Sequence, residues 1–225
     1  MNVKSITRQL TRLARGDGHA WRYLPYQLWT TSLRLDLSWA SAAQSGLPEQ
    51  HCSWHSNSGG PDLEDVLKRL DVNPTDSVLD IGCGKAGAML TLCRHFQTVD
   101  GVELSPELAR IARKNLRRAH AGNSQVFCCD AAHFHDLDGY AYVYMYNPFP
   151  ERTFRLVMDN LNQSLRRRPR PLILIYKNPV FDSVVLTEGF QKIEETAQPD
   201  PDYPHFAIYR HVDFHSGENS LTHPS

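Results

Sequence analysis

No apolar run in these 225 residues approaches the roughly 20 that a membrane-spanning helix requires. The longest, around residues 172–176, is strand-sized. Neither sign of charge prevails, since 24 Lys and Arg face 25 Asp and Glu for a formal net charge of -1. That balance argues against a general nucleic-acid coat, whose footprint is strongly basic. The five cysteines, Cys52, Cys83, Cys93, Cys128 and Cys129, include no C-x-x-C pair. Their odd count, with no secretory apolar segment, predicts reduced thiols in the cytoplasm rather than a disulfide frame. Among the 11 histidines, His133 and His135 are two apart and His51 and His55 four apart. No cysteine completes a tetrahedral set by spacing, so no metal site is expected. No internal repeat and no low-complexity tract appears.

No tryptophan lies beyond residue 60, and all four (Trp21, Trp29, Trp39 and Trp54) precede it. That asymmetry divides the chain. Residues 1–16 are basic and free of acids, with Val3, Ile6, Leu10 and Leu13 at helical spacing, which favours a surface helix over a transit peptide. Pro25 is expected to break any helix around it, leaving Tyr26, Trp29 or Thr30, Leu33, Leu37 and Ala40 to mark one short helix. Residues 44–61 have the composition of a loop. Residues 1–60 are therefore read as a helical and loop cap, with Trp54 and His55 part of a lid. Residues 61–215 form the main domain and 216–225 a flexible tail.

From Asp62 onward, short apolar runs alternate with helical patterns. Strands are expected at 77–81, 98–104, 124–129, 140–146, 171–176, 191–195 and 206–212. Helices carry Leu63, Val66, Leu67 and Leu70, then Met89, Leu92, Cys93 and Phe96, then Leu108, Ile111, Ala112 and Leu116, then Phe154, Leu156, Val157, Leu161 and Leu165. Ser105-Pro106-Glu107 combines an N-cap, a proline in the first turn and an early acid, a strong helix start. Such alternation implies an α/β, doubly wound, parallel sheet with both faces covered. The last two strands have no helix between them and should pair as an antiparallel hairpin.

The turn Gly82-Cys83-Gly84-Lys85-Ala86-Gly87 leaves the first strand and enters a helix. Glycine lets a backbone bend tightly and approach a ligand where a Cβ would collide. Glu103, one βα unit downstream, stands where an acid can accept both ribose hydroxyls of an adenosine. Asp130, at the third strand end, can reach an adenine amino group. A dinucleotide site would aim its helix N-terminus at a pyrophosphate. Asp80, at the mouth of the turn, would repel that group and welcome an ammonium.

The chain resembles the class I S-adenosylmethionine-dependent methyltransferases. The likeness lies in Val78-Leu79-Asp80-Ile81-Gly82-Cys83-Gly84, Gly101-Val102-Glu103-Leu104-Ser105, Asp130-Ala131 and Asn147-Pro148-Phe149. It implies a Rossmann-like, seven-stranded sheet, mostly parallel with a C-terminal antiparallel hairpin, plus an N-terminal helical segment. It also implies S-adenosylmethionine as cofactor and S-adenosylhomocysteine as product. By the resemblance Asp80, Gly82 and Gly84 line the methionine part, Glu103 the ribose, and Asp130 with Ala131 the adenine, with Cys83, Leu104 and Asn147 also against the cofactor. The family's third glycine stands here at Ala86. Family members that methylate nitrogen often carry an Asn/Asp-Pro-Pro-Tyr/Phe loop at the fourth strand end; this chain has a single proline before Phe149.

By that resemblance Asn147 orients the acceptor and Phe149 packs on it, with nitrogen slightly favoured over oxygen as the atom methylated; aromatic faces near Tyr146 or Phe149 can steady the cation. Tyr140, Tyr142, Tyr144 and Tyr146 alternate and so share one strand face. Lys177-Asn178-Pro179 at the fifth strand tip either reaches the acceptor or forms a solvated loop. A small molecule or a peptide is favoured over nucleic acid as acceptor, and no membrane partner is expected. Two other classes stay open: a dinucleotide-dependent oxidoreductase, and a non-catalytic adenosyl-binding or partner-docking module.

Overall fold

Successive residues of a strand point to opposite faces, so runs of apolar residues without polar alternation need cover on both sides. The computed structural model describes residues 18–39, 57–147, 149–197 and 205–212. Five strands run parallel, β1 (Ser77–Ile81), β2 (Thr98–Glu103), β3 (Ser124–Cys128), β4 (Tyr142–Tyr146) and β5 (Ile173–Lys177), and β1, β4 and β5 follow this rule. Leu79, Ile81, Val143, Met145, Leu174 and Tyr176 enter one core, under α5 (Glu151–Arg167) and α6 (Asp182–Thr187). Val78, Tyr144 and Ile175 enter the other, under α2 (Pro61–Arg69), α3 (Gly87–Leu92) and α4 (Pro106–Arg118). Each fully buried aliphatic side chain contributes about 1.5–3 kcal/mol, which makes this two-sided cover the main source of stability.

The chain ends in an antiparallel pair, β6 (Phe190–Glu195) and β7 (Phe206–His211), and β7 also pairs antiparallel with β5. The order across the sheet is β3-β2-β1-β4-β5-β7-β6. Strand order reverses between β1 and β4, so their carboxyl ends open a crevice of the kind that binds ligands in such sheets. The seven strands, the parallel core and the terminal hairpin agree with the sequence expectation. So does the helix start at Ser105, whose side-chain oxygen accepts from the Leu108 N–H at 3.2 Å, with Pro106 in the first turn.

Three local expectations change. α1 (Gly18–Ser32) runs through Pro25 without ending there. Pro25 is exposed, so the Trp21 carbonyl left without its N–H partner can turn toward water. Tyr23, Tyr26, Trp29 and Thr30, all at least partly buried, anchor the inward side. The helix after β1 ends at Leu92 rather than continuing to Phe96. Tyr140 precedes β4 and packs in the α5-side core, where its hydroxyl donates to Asp100 at 2.8 Å. Only Tyr142, Tyr144 and Tyr146 share the opposite face. The expected helix over 1–16, the Trp54–His55 lid, the terminal tail and Pro148 lie outside the described residues.

Candidate active site

The site begins where β1 stops. The N–H groups of Gly82 and Cys83 both donate to the Val102 carbonyl, at 2.8 and 3.0 Å, folding the turn across the end of β2. Gly82 (φ 81°) and Gly84 (φ 55°) occupy the left-handed region that favours glycine. Ala86, where the resemblance expects glycine, has φ 67° as well and is fully buried. Its methyl fits the space, at a conformational cost of roughly 1–2 kcal/mol. Gly101 on β2 permits this close approach, because a Cβ there would lie 2.7 Å from the Cys83 Sγ and 2.6 Å from the Met89 Sδ.

Two carboxylates converge beneath the turn. Glu103 is 7% exposed; its Oε2 accepts from the Gly84 N–H and its Oε1 from the Ser105 N–H, both at 2.8 Å. Burial raises its pKa, and the backbone donors of Ser105, Gly84 and Leu104 pull the other way. Asp80 is 2% exposed, and burial together with the neighbouring Glu103 carboxylate holds it well above the usual carboxylate range. Burial, Asp80 and Glu103 also push the Cys83 thiol up, which keeps it an unreactive thiol rather than a thiolate nucleophile. Asp80, Gly82, Cys83, Gly84 and Glu103 thus share one neighbourhood.

The adjoining strand tip is tied to it through backbone, with the Cys129 N–H donating to the Glu103 carbonyl at 3.1 Å. Asp130 follows, capping a short 3-10 turn (Ala131–His133) through an Oδ1 that accepts from the Ala132 N–H at 2.9 Å. Leu104 and Ala131 are both half-buried. On β4, Tyr146 and Asn147 are half-buried too, and Asn147 has φ 38°. Its Oδ1 accepts from the Tyr176 hydroxyl at 2.7 Å. Phe149 is buried and packs toward Phe154, with ring centroids 6.4 Å apart, so its ring serves the α5-side core.

Several residues of this region carried no legible sequence signal. Lys85, in the glycine turn, is 4% exposed; its Nζ lies 3.0 Å from the Asp36 Oδ1 and donates to the Ser38 Oγ at 2.9 Å. Against the cost of burial, hydrogen bonds from Ser38 and Lys85 hold the Asp36 carboxyl below its ordinary range. Buried Asn115 completes this latch by donating to the Asp36 and Lys85 carbonyls at 2.9 and 3.0 Å.

A second N-terminal segment, residues 57–60, straps the start of α3. The Gly60 N–H donates to the Thr91 Oγ1 at 2.9 Å, and the Ser58 carbonyl lies 3.5 Å from both the Tyr144 hydroxyl and the Lys177 Nζ. Lys177 is 6% exposed, which corrects the solvated-loop alternative for this residue. Its ammonium stands over the Tyr146 and Phe206 rings, 5.2 Å from each centroid.

Residues 78–168 match a family model described as a methyltransferase domain. The 23S rRNA (uracil(1939)-C(5))-methyltransferase RlmD of Aliivibrio fischeri is 38% identical over 61 residues, 27% of this chain and 14% of that protein. The chain thus spans about a seventh of the length of that curated relative. Among solved structures, precorrin-6y C5,15-methyltransferase from Geobacter metallireducens superposes with a TM-score of 0.53 at 16% identity, covering 67% of this chain and 87% of that one. Magnesium protoporphyrin IX methyltransferase from Synechocystis, solved with bound S-adenosylmethionine, gives a TM-score of 0.53 at 17% identity, covering 67% and 78%. Those two likenesses establish the shared fold. The family match itself runs from β1 to the end of α5, about two-fifths of the chain.

Proposed function

We propose that the protein transfers the methyl group of S-adenosylmethionine to an acceptor held at the tips of β4 and β5. The observation that carries this reading is the pair of buried carboxylates, Asp80 and Glu103, beneath a glycine turn with no counter-cation of its own: Lys85, the turn's one cation, is taken up by Asp36. A zwitterion with a ribose suits that donor set. An ammonium brought beside Asp80 favours its ionised form and offsets the burial that otherwise disfavours it. Each Glu103 oxygen already accepts one backbone N–H and keeps a second lone pair for a ribose hydroxyl. Gly82, Cys83 and Gly84 let the backbone come close to the amino-acid part, and Leu104 and Ala131 flank the adenine, with Asp130 at its amino group.

When bound, the cofactor supplies an electrophilic methyl on a sulfonium, so the protein's task is positional. Asn147 orients the acceptor. Its amide oxygen holds the Tyr176 hydroxyl with one lone pair and keeps the other, which supports an amine donor and hence nitrogen over oxygen. The Tyr146 face steadies positive charge, and Phe149 backs the acceptor side from the core. A pyrophosphate is disfavoured beside two buried acids, and α3 spans only six residues, so the dinucleotide reading loses its anion-binding helix end. Incubated with methyl-tritiated S-adenosylmethionine and fractionated cell extract, the protein should move label into one acceptor fraction. No transfer above a protein-free control would overturn the reading.

A further inference from the structure

We infer that the methyl acceptor carries a carboxylate and that Lys177, at the tip of β5, binds it; the inference rests on the methyl-transfer reading above. Buried charges in proteins are paired, because an ion taken out of water without a counter-ion costs several kcal/mol. Lys177 departs from that rule. More than nine-tenths of it is buried, yet no carboxylate of the described residues forms an ion pair with its ammonium. Its contacts among the described residues are neutral: the faces of Tyr146 and Phe206, and one carbonyl, Ser58, at 3.5 Å. That distance lies beyond the ordinary N–H···O range of about 2.7–3.2 Å. An ammonium has three donors, and this one has no close acceptor among the described residues.

Position turns the missing anion into a substrate feature. In the β4–β5 ladder Lys177 is the register partner of Tyr146, and Asn147 follows directly. The cation therefore sits at the strand tips where the acceptor is proposed to bind, and half-buried Tyr146, Asn147 and Asn178 leave a way in. Burial lowers the Lys177 pKa to about 8, against the Asp62 carboxylate, which acts in the other direction. Asp62 is engaged elsewhere, by the Tyr23 hydroxyl at 2.8 Å and by Arg22. The other titratable groups beside the ammonium, the Tyr144 and Tyr146 hydroxyls, have raised pKa values through burial and stay neutral. One monovalent cation matches a monoanion better than a phosphate dianion.

The test reads Lys177 itself. In protein labelled with 13Cε-lysine, the Lys177 resonance is assigned by its loss in Lys177→Met and titrated with S-adenosylhomocysteine present. Acetate should raise its midpoint by about one pH unit, as a neighbouring anion does for a buried cation. Acetamide, and sodium chloride at matched ionic strength, should leave it in place. A midpoint that ignores acetate, or that moves equally with chloride, overturns the proposal, and a larger response to inorganic phosphate than to acetate overturns the carboxylate assignment. In the label-transfer assay the product should carry an acidic group, so that an anion exchanger retains it at a pH above the pKa of any amine it bears. Lys177→Met should raise KM at least about tenfold with kcat retained, and Lys177→Arg should recover most of the loss. A labelled product without an acidic group contradicts the inference. S-adenosylhomocysteine affinity unchanged in Lys177→Met keeps this outcome separate from any failure of the cofactor reading.

Discussion

Glu103→Ala is expected to abolish S-adenosylhomocysteine binding in a calorimetric titration. The two oxygens of Glu103 are the proposed partners of the ribose hydroxyls, and hydrogen bonds to a charged group contribute about 1.5–3 kcal/mol each. Losing the pair weakens binding by roughly a hundredfold or more. The same carboxylate accepts the N–H groups of Gly84 and Ser105, so the alanine variant also leaves two buried donors unpaired. Glu103→Gln, which preserves volume and one acceptor, separates the two effects: it should retain more of the thermal stability while still losing most of the affinity. NAD should not bind the wild-type protein. Undiminished S-adenosylhomocysteine binding in both variants would contradict the assignment of Glu103, and NAD binding of comparable strength would favour the oxidoreductase.

Gly59→Ala should be the most damaging single-methyl change in the strap. A Cβ at this position would lie 2.0 Å from the Gly87 carbonyl oxygen and 2.7 Å from its carbon. Both clashing partners are backbone, so no rotamer change relieves the overlap. Either α3 shifts or the strap lifts and takes the Ser58 carbonyl away from Tyr144 and Lys177. Overpacking of this kind costs about 1–3 kcal/mol; for a chain of this length that lowers the thermal midpoint by roughly 2–4 °C per kcal/mol. Gly18→Ala, with open space around its Cβ, should leave the midpoint within error of wild type. Equal melting curves for the two variants would show that residues 57–60 are not clamped to α3.

What the sequence made legible was local. Short apolar runs marked the strands, Ser105-Pro106-Glu107 marked the start of α4, and the glycines of 82–87 with the acids at 80 and 103 marked one neighbourhood. Each of those signals lies within a few residues or one βα unit. The contacts that finish the site join distant parts of the chain: Lys85 meets Asp36 49 residues away, and the Ser58 carbonyl faces Lys177 119 residues away. No spacing rule reaches across such separations. Pro25 misled because helix propensity ignores which side of a helix faces water. Tyr140 misled because alternation was extended past the first paired residue of β4. Gly59 and Gly60 read as loop punctuation, although the backbone approach to α3 is what fixes Gly59. The Asn147 oxygen could not be foreseen as occupied, since its partner Tyr176 comes from the neighbouring strand.

The most direct test of the central claim is a crystal structure of the protein with S-adenosylhomocysteine. The ribose hydroxyls should lie within hydrogen-bond distance of the Glu103 carboxylate, the amino-acid part over Gly82 and Gly84 beside Asp80, and the adenine between Leu104 and Ala131 near Asp130. Ligand density elsewhere on the sheet, or at these strand tips with Asp80 and Glu103 both out of contact, would contradict the account.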